Sequence, residues 1–327
     1  MLKECDAGVL VDAKVSVEWR YHRGQNCSEH PPILQADSTC SRGKFGQDHS
    51  VPLIPIADPD DERLEVFRGL RDSERQFRRP PPSGDRVVSS CVVESGLVIG
   101  RAIARGMAPI AILIDGRLRD RCPWAESVEC PVFVVAADVL QRLTGFGVIR
   151  EAVGIFARPT PREYRDLLAT SRRILILEGV VNPVNLGNII RSAAALGIDA
   201  TLCDPTSCDP LYRRAIRGSM GAVFDHPWAY VPAFPNGIEV LRAAGFFVIG
   251  LVAAPDAPSL SEVCADVPEK VALVLGNEGH GLTDPTRGVL DGAATVPMTG
   301  HVDSLNVGAA AAIACYELMR GVAPHRT

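Results

Sequence analysis

Short, mostly apolar runs rich in Val, Ile, Leu and Ala recur through the second half of the chain. The runs lie at residues 174–177, 200–203, 247–251, 271–275 and 294–296. Such runs are typical of parallel strands that helices cover on both faces. Helix patterns at Asn185–Leu196 and Leu211–Arg217 stand between them. Residues 174–320 therefore predict an α/β domain built on one doubly covered parallel sheet.

Three polar, glycine-containing stretches follow predicted strands in this region, at the edge where such sheets bind ligands. The first stretch follows the strand that ends at Leu177. Asn182 begins a turn, and Asn185 or a neighbour caps the helix that follows. Farther along this helix, Gly187 leaves room for close packing, and Arg191 projects from the surface. A salt bridge on the helix face is the structural alternative for Arg191.

The second stretch, Val274–Leu282, predicts a tight turn with glycines at positions 276, 279 and 281. Such a turn presents backbone amides to a ligand, although it matches neither the dinucleotide-binding motif nor the phosphate loop. Glu278 has the chemistry to orient an arginine or to bind a hydroxyl group. His280 is a possible base, but a single loop histidine is more often a bystander.

The third stretch runs from Val296 to an Ala-rich helix near the end of the chain. Pro297 ends the preceding strand, because proline has no amide hydrogen for the ladder. Ser304 and Asn306 stand where the helix begins and can bind a polar ligand edge. Apolar residues of the same stretch offer a slot beside them, and His301 is a further possible base. The slot residues are Val296, Met298 and Leu305.

Taken together, these stretches closely resemble the motifs of the SpoU (TrmH) family of S-adenosylmethionine-dependent RNA ribose 2′-O-methyltransferases, within the SPOUT superfamily. The matching segments are Asn182–Arg191, Leu275–Leu282 and Val296–Val307, in the family's order and spacing, with Arg217–Ala222 similar to its intervening segment. The resemblance implies a deep trefoil knot and a homodimer with the site at the subunit interface. It also implies that S-adenosylmethionine is the cofactor and that the reaction requires no metal.

The resemblance further implies roles for individual residues. The residues expected to bind the cofactor are Leu275, Gly276, Asn277, Gly279, Val296, Met298, Ser304 and Leu305. The residues expected to carry catalysis are Arg191, Asn182, Asn185, Glu278, Ser304 and Asn306. A free guanidinium has a pKa above roughly 12 and is a very poor base. We therefore expect Arg191 to position the ribose and stabilise charge more than to remove the proton.

Residues 51–158 predict a smaller α/β domain that resembles the family's L30e-like RNA-binding module. Alternating strand and helix patterns fill residues 87–157, and Asp58 opens a predicted helix that ends before Pro80. Arginines on this helix and on nearby loops have the charge to contact RNA phosphates. The expected RNA-binding residues are Arg63, Arg68, Arg71, Arg75, Arg101, Arg105 and Arg117, together with Arg213, Arg214 and Arg217 of the second domain.

Length and composition limit the number of domains and the class of protein. A chain of 327 residues suggests two domains, with the methyltransferase domain at 159–327 and a disordered or non-native extension at 1–50. The ten cysteines form no C-x-x-C pair, which favours reduced thiols. No apolar run is long enough for a membrane helix, and residue 1 is not followed by a secretory signal, so we expect a cytoplasmic protein.

Three functions remain open at this point. The resemblance favours methylation of a ribose in ribosomal RNA of the 23S type over transfer RNA, because an additional N-terminal module is typical of the ribosomal enzymes. A non-catalytic RNA-binding assembly factor with the same fold is the second possibility. An ordinary nucleotide-binding α/β enzyme is the third, but the chain has no phosphate loop.

Overall fold

The computed structural model describes residues 53–70, 90–146, 151–234, 236–300 and 302–320, which belong to one compact unit. The strands of this part of the chain are β1 Ile54–Pro55, β2 Ser90–Glu94, β3 Pro109–Asp115, β4 Val132–Val135, β5 Ala152–Ala157, β6 Arg173–Leu177, β7 Ala200–Cys203, β8 Trp228–Tyr230, β9 Phe247–Leu251, β10 Val271–Leu275 and β11 Gly292–Ala294. Its α-helices are α1 Gly96–Ala104, α2 Ala137–Thr144, α3 Tyr164–Thr170, α4 Pro183–Leu196, α5 Arg213–Gly218, α6 Asn236–Ala243, α7 Leu260–Ala265, α8 Asp284–Arg287 and α9 Val307–Met319.

The second half forms a six-stranded sheet in the order β11-β9-β10-β6-β7-β8, and every pair in it is parallel. Alternate residues of β6 enter different apolar clusters, Leu175 and Leu177 on one face and Ile174 and Ile176 on the other. This burial on both faces explains the apolar runs. The prediction of a doubly covered parallel sheet is therefore confirmed.

The first half forms a five-stranded mixed sheet in the order β1-β4-β3-β5-β2. Strands β1, β4 and β3 are parallel, whereas β5 runs antiparallel to both β3 and β2. A separate apolar cluster on one face of this sheet contains Leu64, Phe67 and Phe133. The assignment of this part to the L30e-like modules, with a boundary at residue 158, stays a prediction.

Two predicted elements differ from those observed. The helix expected from Asp58 is a 3-10 helix over Glu62–Phe67, and it ends there because Arg68 is extended and Gly69 has a φ of +62°. Its expected continuation beyond residue 70 lies outside the described residues, as do the extension at 1–50 and His301. The strand expected at 294–296 ends at Ala294, and Thr295 makes only an isolated bridge to Ser259.

The two sheets are joined through a shared apolar core and buried charges. The largest cluster includes β2 and α1 of the first half together with α4 and α5 of the second. Glu94, at the end of β2, is fully buried and accepts hydrogen bonds from Arg213 (2.6 Å) and Arg217 (3.2 Å) of α5. Arg158 pairs with Asp209 at 2.6 Å, and both side chains are buried. In the described residues, no helix is long and apolar enough to span a membrane.

Candidate active site

The three polar stretches meet at the carboxyl edge of the parallel sheet. Strands β6 and β10 are neighbours in register, with Leu177 opposite Leu275, so the segments that follow them lie side by side. The third stretch begins at the far edge after β11, yet α9 packs against α4, the helix that follows β6. The third stretch therefore starts beside β9 and ends, at Asn306, beside the first stretch.

Glu278 of the second stretch holds the start of α4. One carboxylate oxygen accepts hydrogen bonds from the Asn182 amide and from Nδ2 of Asn185, both at 3.1 Å, and the other accepts from the Val181 amide at 3.3 Å. Partial burial acts to raise the pKa of Glu278, but the hydrogen bonds from the Asn185 side chain and nearby amides lower it below its usual value. The site therefore contains an ionised carboxylate that accepts several donors.

Asn185 connects this carboxylate to the third stretch. Its Oδ1 accepts a hydrogen bond from Nδ2 of Asn306 at 3.0 Å, and Oδ1 of Asn306 accepts from the Gly308 amide at 2.9 Å. Asn185 is 8% exposed, so its amide has few solvent contacts. Asn306 caps α9, which begins where expected, and α4 is capped by Asn182, which accepts from the Val184 amide. Asn185 is thus free to link the stretches because Asn182 performs the capping.

The second stretch is closed upon itself by Asn277. Its backbone exchanges two hydrogen bonds with Gly281, and its side chain accepts from the Gly279 amide at 2.8 Å. Nδ2 of Asn277 also donates to the Gly179 carbonyl at 2.7 Å, which ties the loop to the segment after β6. A Cβ on Gly276 would lie 2.3 Å from the Gly281 carbonyl carbon, so only glycine fits there. The turn predicted from the glycines is present.

Gly187 fixes the distance between α4 and α5. A Cβ at this position would lie 2.4 Å from the Ala215 carbonyl oxygen and 2.8 Å from the Ser219 amide. The close packing expected at Gly187 is therefore present, and its partner is α5, which also carries the two arginines that hold Glu94. One turn beyond Gly187, Arg191 lies exposed on α4, and its guanidinium has no ion pair within the described residues.

The expected cofactor residues differ in exposure. Leu275 is 1% exposed and belongs to the core of the sheet, so only its backbone is available to a ligand. Met298 and Leu305 are large apolar residues, yet they are 37% and 38% exposed beside the polar network. Val296 is half-buried, and Ser304 is exposed. Apolar side chains next to backbone amides suit a flat, partly polar ligand such as a nucleoside.

Most of the expected RNA-binding arginines lie in ion pairs or backbone contacts. Arg63 pairs with Asp61, Arg68 with Glu65, Arg105 with Asp225 and Arg117 with Asp115, while Arg101 donates to the Met220 carbonyl at 2.6 Å. Arg213 and Arg217 hold Glu94, and the Arg214 guanidinium lies over the Tyr212 ring. Arg71 and Arg75 lie outside the described residues. Contact of these residues with RNA stays a prediction.

One supporting residue was not predicted. Glu178, buried directly after β6, accepts hydrogen bonds from the Thr283 hydroxyl at 2.8 Å and the Thr286 hydroxyl at 2.6 Å. It thereby fixes the far end of the second stretch. The sequence feature that could have indicated its role is its position directly after a buried apolar run, because a buried carboxylate needs hydrogen-bond donors nearby. The described residues contain no cluster of His, Cys, Asp and Glu suited to a metal ion.

Comparison with known proteins places this arrangement in a family. The sequence model of the SpoU rRNA Methylase family matches residues 172–316, which include all three stretches. A protein of Mycobacterium tuberculosis named as a tRNA/rRNA methyltransferase is 34% identical over 296 residues, or 90% of this chain and 95% of that protein. The chain belongs to the SpoU (TrmH) family of RNA methyltransferases.

Other members of the family cover the chain less closely. The 23S rRNA (guanosine(2553)-2′-O)-methyltransferase RlmP of Bacillus subtilis is 29% identical over 209 residues, or 63% of this chain and 79% of that enzyme. The structure of an rRNA methyltransferase from Sinorhizobium meliloti with bound AdoMet superposes with a TM-score of 0.66. It covers 83% of this chain and 99% of its own at 24% identity, so it establishes the likeness of the folds.

Proposed function

We propose that this SpoU-family protein transfers a methyl group from S-adenosylmethionine to a ribose 2′-hydroxyl of ribosomal RNA. The observation that carries the proposal is the hydrogen-bonded link from Glu278 through Asn185 to Asn306. It joins the three family segments at the edge of the sheet where ligands of parallel α/β domains bind. The name of the B. subtilis relative supports ribosomal RNA as the substrate.

The residues present fit the cofactor. Gly276 brings the backbone of the second stretch close to Gly281, and the exposed apolar side chains of Met298 and Leu305 lie on the third stretch. These groups would hold the adenosine part, with backbone atoms of Leu275, Gly276 and Val296 as hydrogen-bonding partners. The bound cofactor supplies an electrophilic methyl group, and the remaining task of the site is to align the ribose hydroxyl and remove its proton.

Arg191 would bind and orient the ribose hydroxyl and its adjacent phosphate. Its guanidinium is exposed and, within the described residues, forms no ion pair, so its donors are available to an anionic substrate. Ser304 and Asn306 would hold the sugar from the third stretch. Because positioning of two reactants removes much of the entropic barrier, the site needs no metal ion for this reaction.

We also propose a homodimer and a knotted C-terminal segment. On α9, Ile313 and Tyr316 are 38% and 58% exposed, and Val302 on the preceding segment is 59% exposed. Ile313 and Tyr316 are three residues apart and share one face of α9, and a second copy of the chain would cover this apolar surface. The knot is proposed from the resemblance of the three segments to the family. A cytoplasmic location, where ribosomal RNA matures in bacteria, stays part of the proposal.

The activity is tested by methyl transfer to ribosomal RNA from a strain in which the gene is deleted, with the modified nucleotide mapped afterwards. Binding of S-adenosylmethionine is measured separately by calorimetry. The variant Arg191→Ala is expected to keep its cofactor affinity and lose on the order of 10²–10³-fold in turnover, because a charge-stabilising donor is removed. Arg172→Ala, which changes an exposed arginine at the opposite edge of the sheet, is the matched control. Absence of cofactor binding by the wild type would overturn the proposed function.

A further inference from the structure

Arg287 lies next to the Val274–Leu282 stretch and takes no part in the network described above. It ends the short helix α8, and its Nε donates a hydrogen bond to the Leu282 carbonyl at 3.1 Å. A Cβ on Gly281 would lie 3.6 Å from one of its terminal nitrogens, so the guanidinium lies against the loop. The side chain is nevertheless exposed. The Nε donor therefore orients the guanidinium, and its terminal nitrogens make no hydrogen bond within the described residues.

Arg287 differs in this respect from most exposed arginines of the protein. Arg63, Arg105 and Arg119 each pair with a carboxylate at 2.5–2.7 Å. Within the described part of the chain, no carboxylate pairs with Arg287, and the Leu282 carbonyl is its hydrogen-bond partner. A guanidinium that is oriented by the protein and not neutralised is well suited to a phosphate, whose oxygens match its planar array of donors.

The position of Arg287 is fixed by a buried carboxylate. Thr283 caps α8, and the hydroxyls of Thr283 and Thr286 both donate to Glu178 at the end of β6. Thr286 is fully buried. Helix α8 is therefore anchored to the end of β6, directly before the first stretch. This anchoring fixes the position of Arg287 relative to the site.

We infer that Arg287 binds a phosphate of the RNA strand beside the nucleotide that enters the site. This inference rests on the proposed function, because it assumes an RNA substrate at this edge of the sheet. The alternative partner is the carboxylate of the cofactor's methionine part. The exposed position favours RNA, since a guanidinium that is open to solvent is accessible to a phosphate of a strand that extends beyond the site.

Arg287→Gln tests the inference in the full-length protein. Its matched control is Arg172→Gln, because Arg172 is also exposed (67%) but pairs with Glu269 at 2.9 Å near the start of β6, at the opposite edge of the sheet. Binding of a short fluorescein-labelled single-stranded RNA of mixed sequence is measured across a range of salt concentrations, and binding of S-adenosylmethionine by calorimetry. We expect Arg287→Gln to weaken RNA binding on the order of fivefold at low salt. The slope of log affinity against log salt should fall by about 0.7, because one phosphate contact is lost.

The outcomes separate the possible errors. Unchanged RNA binding by Arg287→Gln, or equal weakening in Arg172→Gln, would overturn the phosphate contact while leaving the proposed function intact. Weaker binding of S-adenosylmethionine with unchanged RNA binding would assign Arg287 to the cofactor carboxylate instead. A wild-type protein that binds neither RNA nor S-adenosylmethionine would overturn the proposed function together with this inference.

Discussion

At the scale of single residues, the site depends on the polarity of one buried amide. Asn185 donates to Glu278 and accepts from Asn306, and neither leucine nor aspartate can do both. Asn185 lies in the first turn of α4 and is buried, whereas Asn188, three residues farther on, is exposed. The alignment of the three stretches therefore depends on having the side-chain amide at position 185 of α4.

Asn185→Asp is the sharpest test of this link, because it replaces the donor with a second carboxylate about 3 Å from Glu278. We expect methyl transfer to fall on the order of a hundredfold and stability to fall by about 1–3 kcal/mol, since like charges repel and a hydrogen bond is lost. Asn236→Asp, at the exposed start of α6, controls for added charge. Activity assays and urea unfolding measure both effects, and equal behaviour of the two variants would refute the role of Asn185.

At the scale of elements, the apolar runs alone predicted most of the parallel sheet. The runs at 200–203, 247–251 and 271–275 coincide with β7, β9 and β10. Strand β8, Trp228–Tyr230, was missed because three residues give no periodic signal, and α7 because its start depends on the capping box between Ser259 and Glu262. The 3-10 helix Glu62–Phe67 was mistaken for an α-helix because Leu64 and Phe67 have the spacing of either.

The location of the candidate site could be predicted from the sequence, but its hydrogen-bond partners could not. Because the carboxyl ends of parallel strands meet at one edge, the sequence pattern already places the segments after Leu177 and Leu275 together. The partners within the site were not predictable, since the choice between Asn182 and Asn185 as cap depends on local backbone angles. The ion pairs of Arg213 and Arg217 were likewise hidden, because Glu94 lies more than a hundred residues away in the sequence.

The contact between α4 and α5 gives a prediction at this scale. Gly187→Ala places a methyl group 2.4 Å from the Ala215 carbonyl oxygen, so the backbone of α5 must move away. We expect a loss of about 1–3 kcal/mol in the free energy of unfolding, as for other overpacked interiors. Gly288→Ala is the control, because its nearest atom is 3.5 Å away and the residue has a helical conformation. Urea midpoints within error of each other for the two variants would contradict this packing.

At the scale of the whole molecule, the first sheet is joined firmly to the methyltransferase sheet. Glu94 is fully buried between Arg213 and Arg217, and α5 in turn packs on Gly187 of α4. A buried carboxylate with two arginine partners is costly to separate, because each group would be left without its partner. Structural contacts thus lead from the first sheet to the helix that carries Arg191.

The apolar surface of α9 makes the proposed dimer testable. Tyr316→Asp introduces a charge at the centre of this surface, where Tyr316 is 58% exposed in the single chain and would be buried by a second copy. We expect light scattering coupled to gel filtration to show a dimer for the wild type and a monomer for the variant, with methyl transfer reduced in parallel because the site is expected at the interface. Leu97→Asp, which alters a 55% exposed residue on α1 in the first half of the chain, should leave both properties unchanged. A wild type that is monomeric and active would show that the exposed side chains of α9 serve another purpose and that one chain suffices for catalysis.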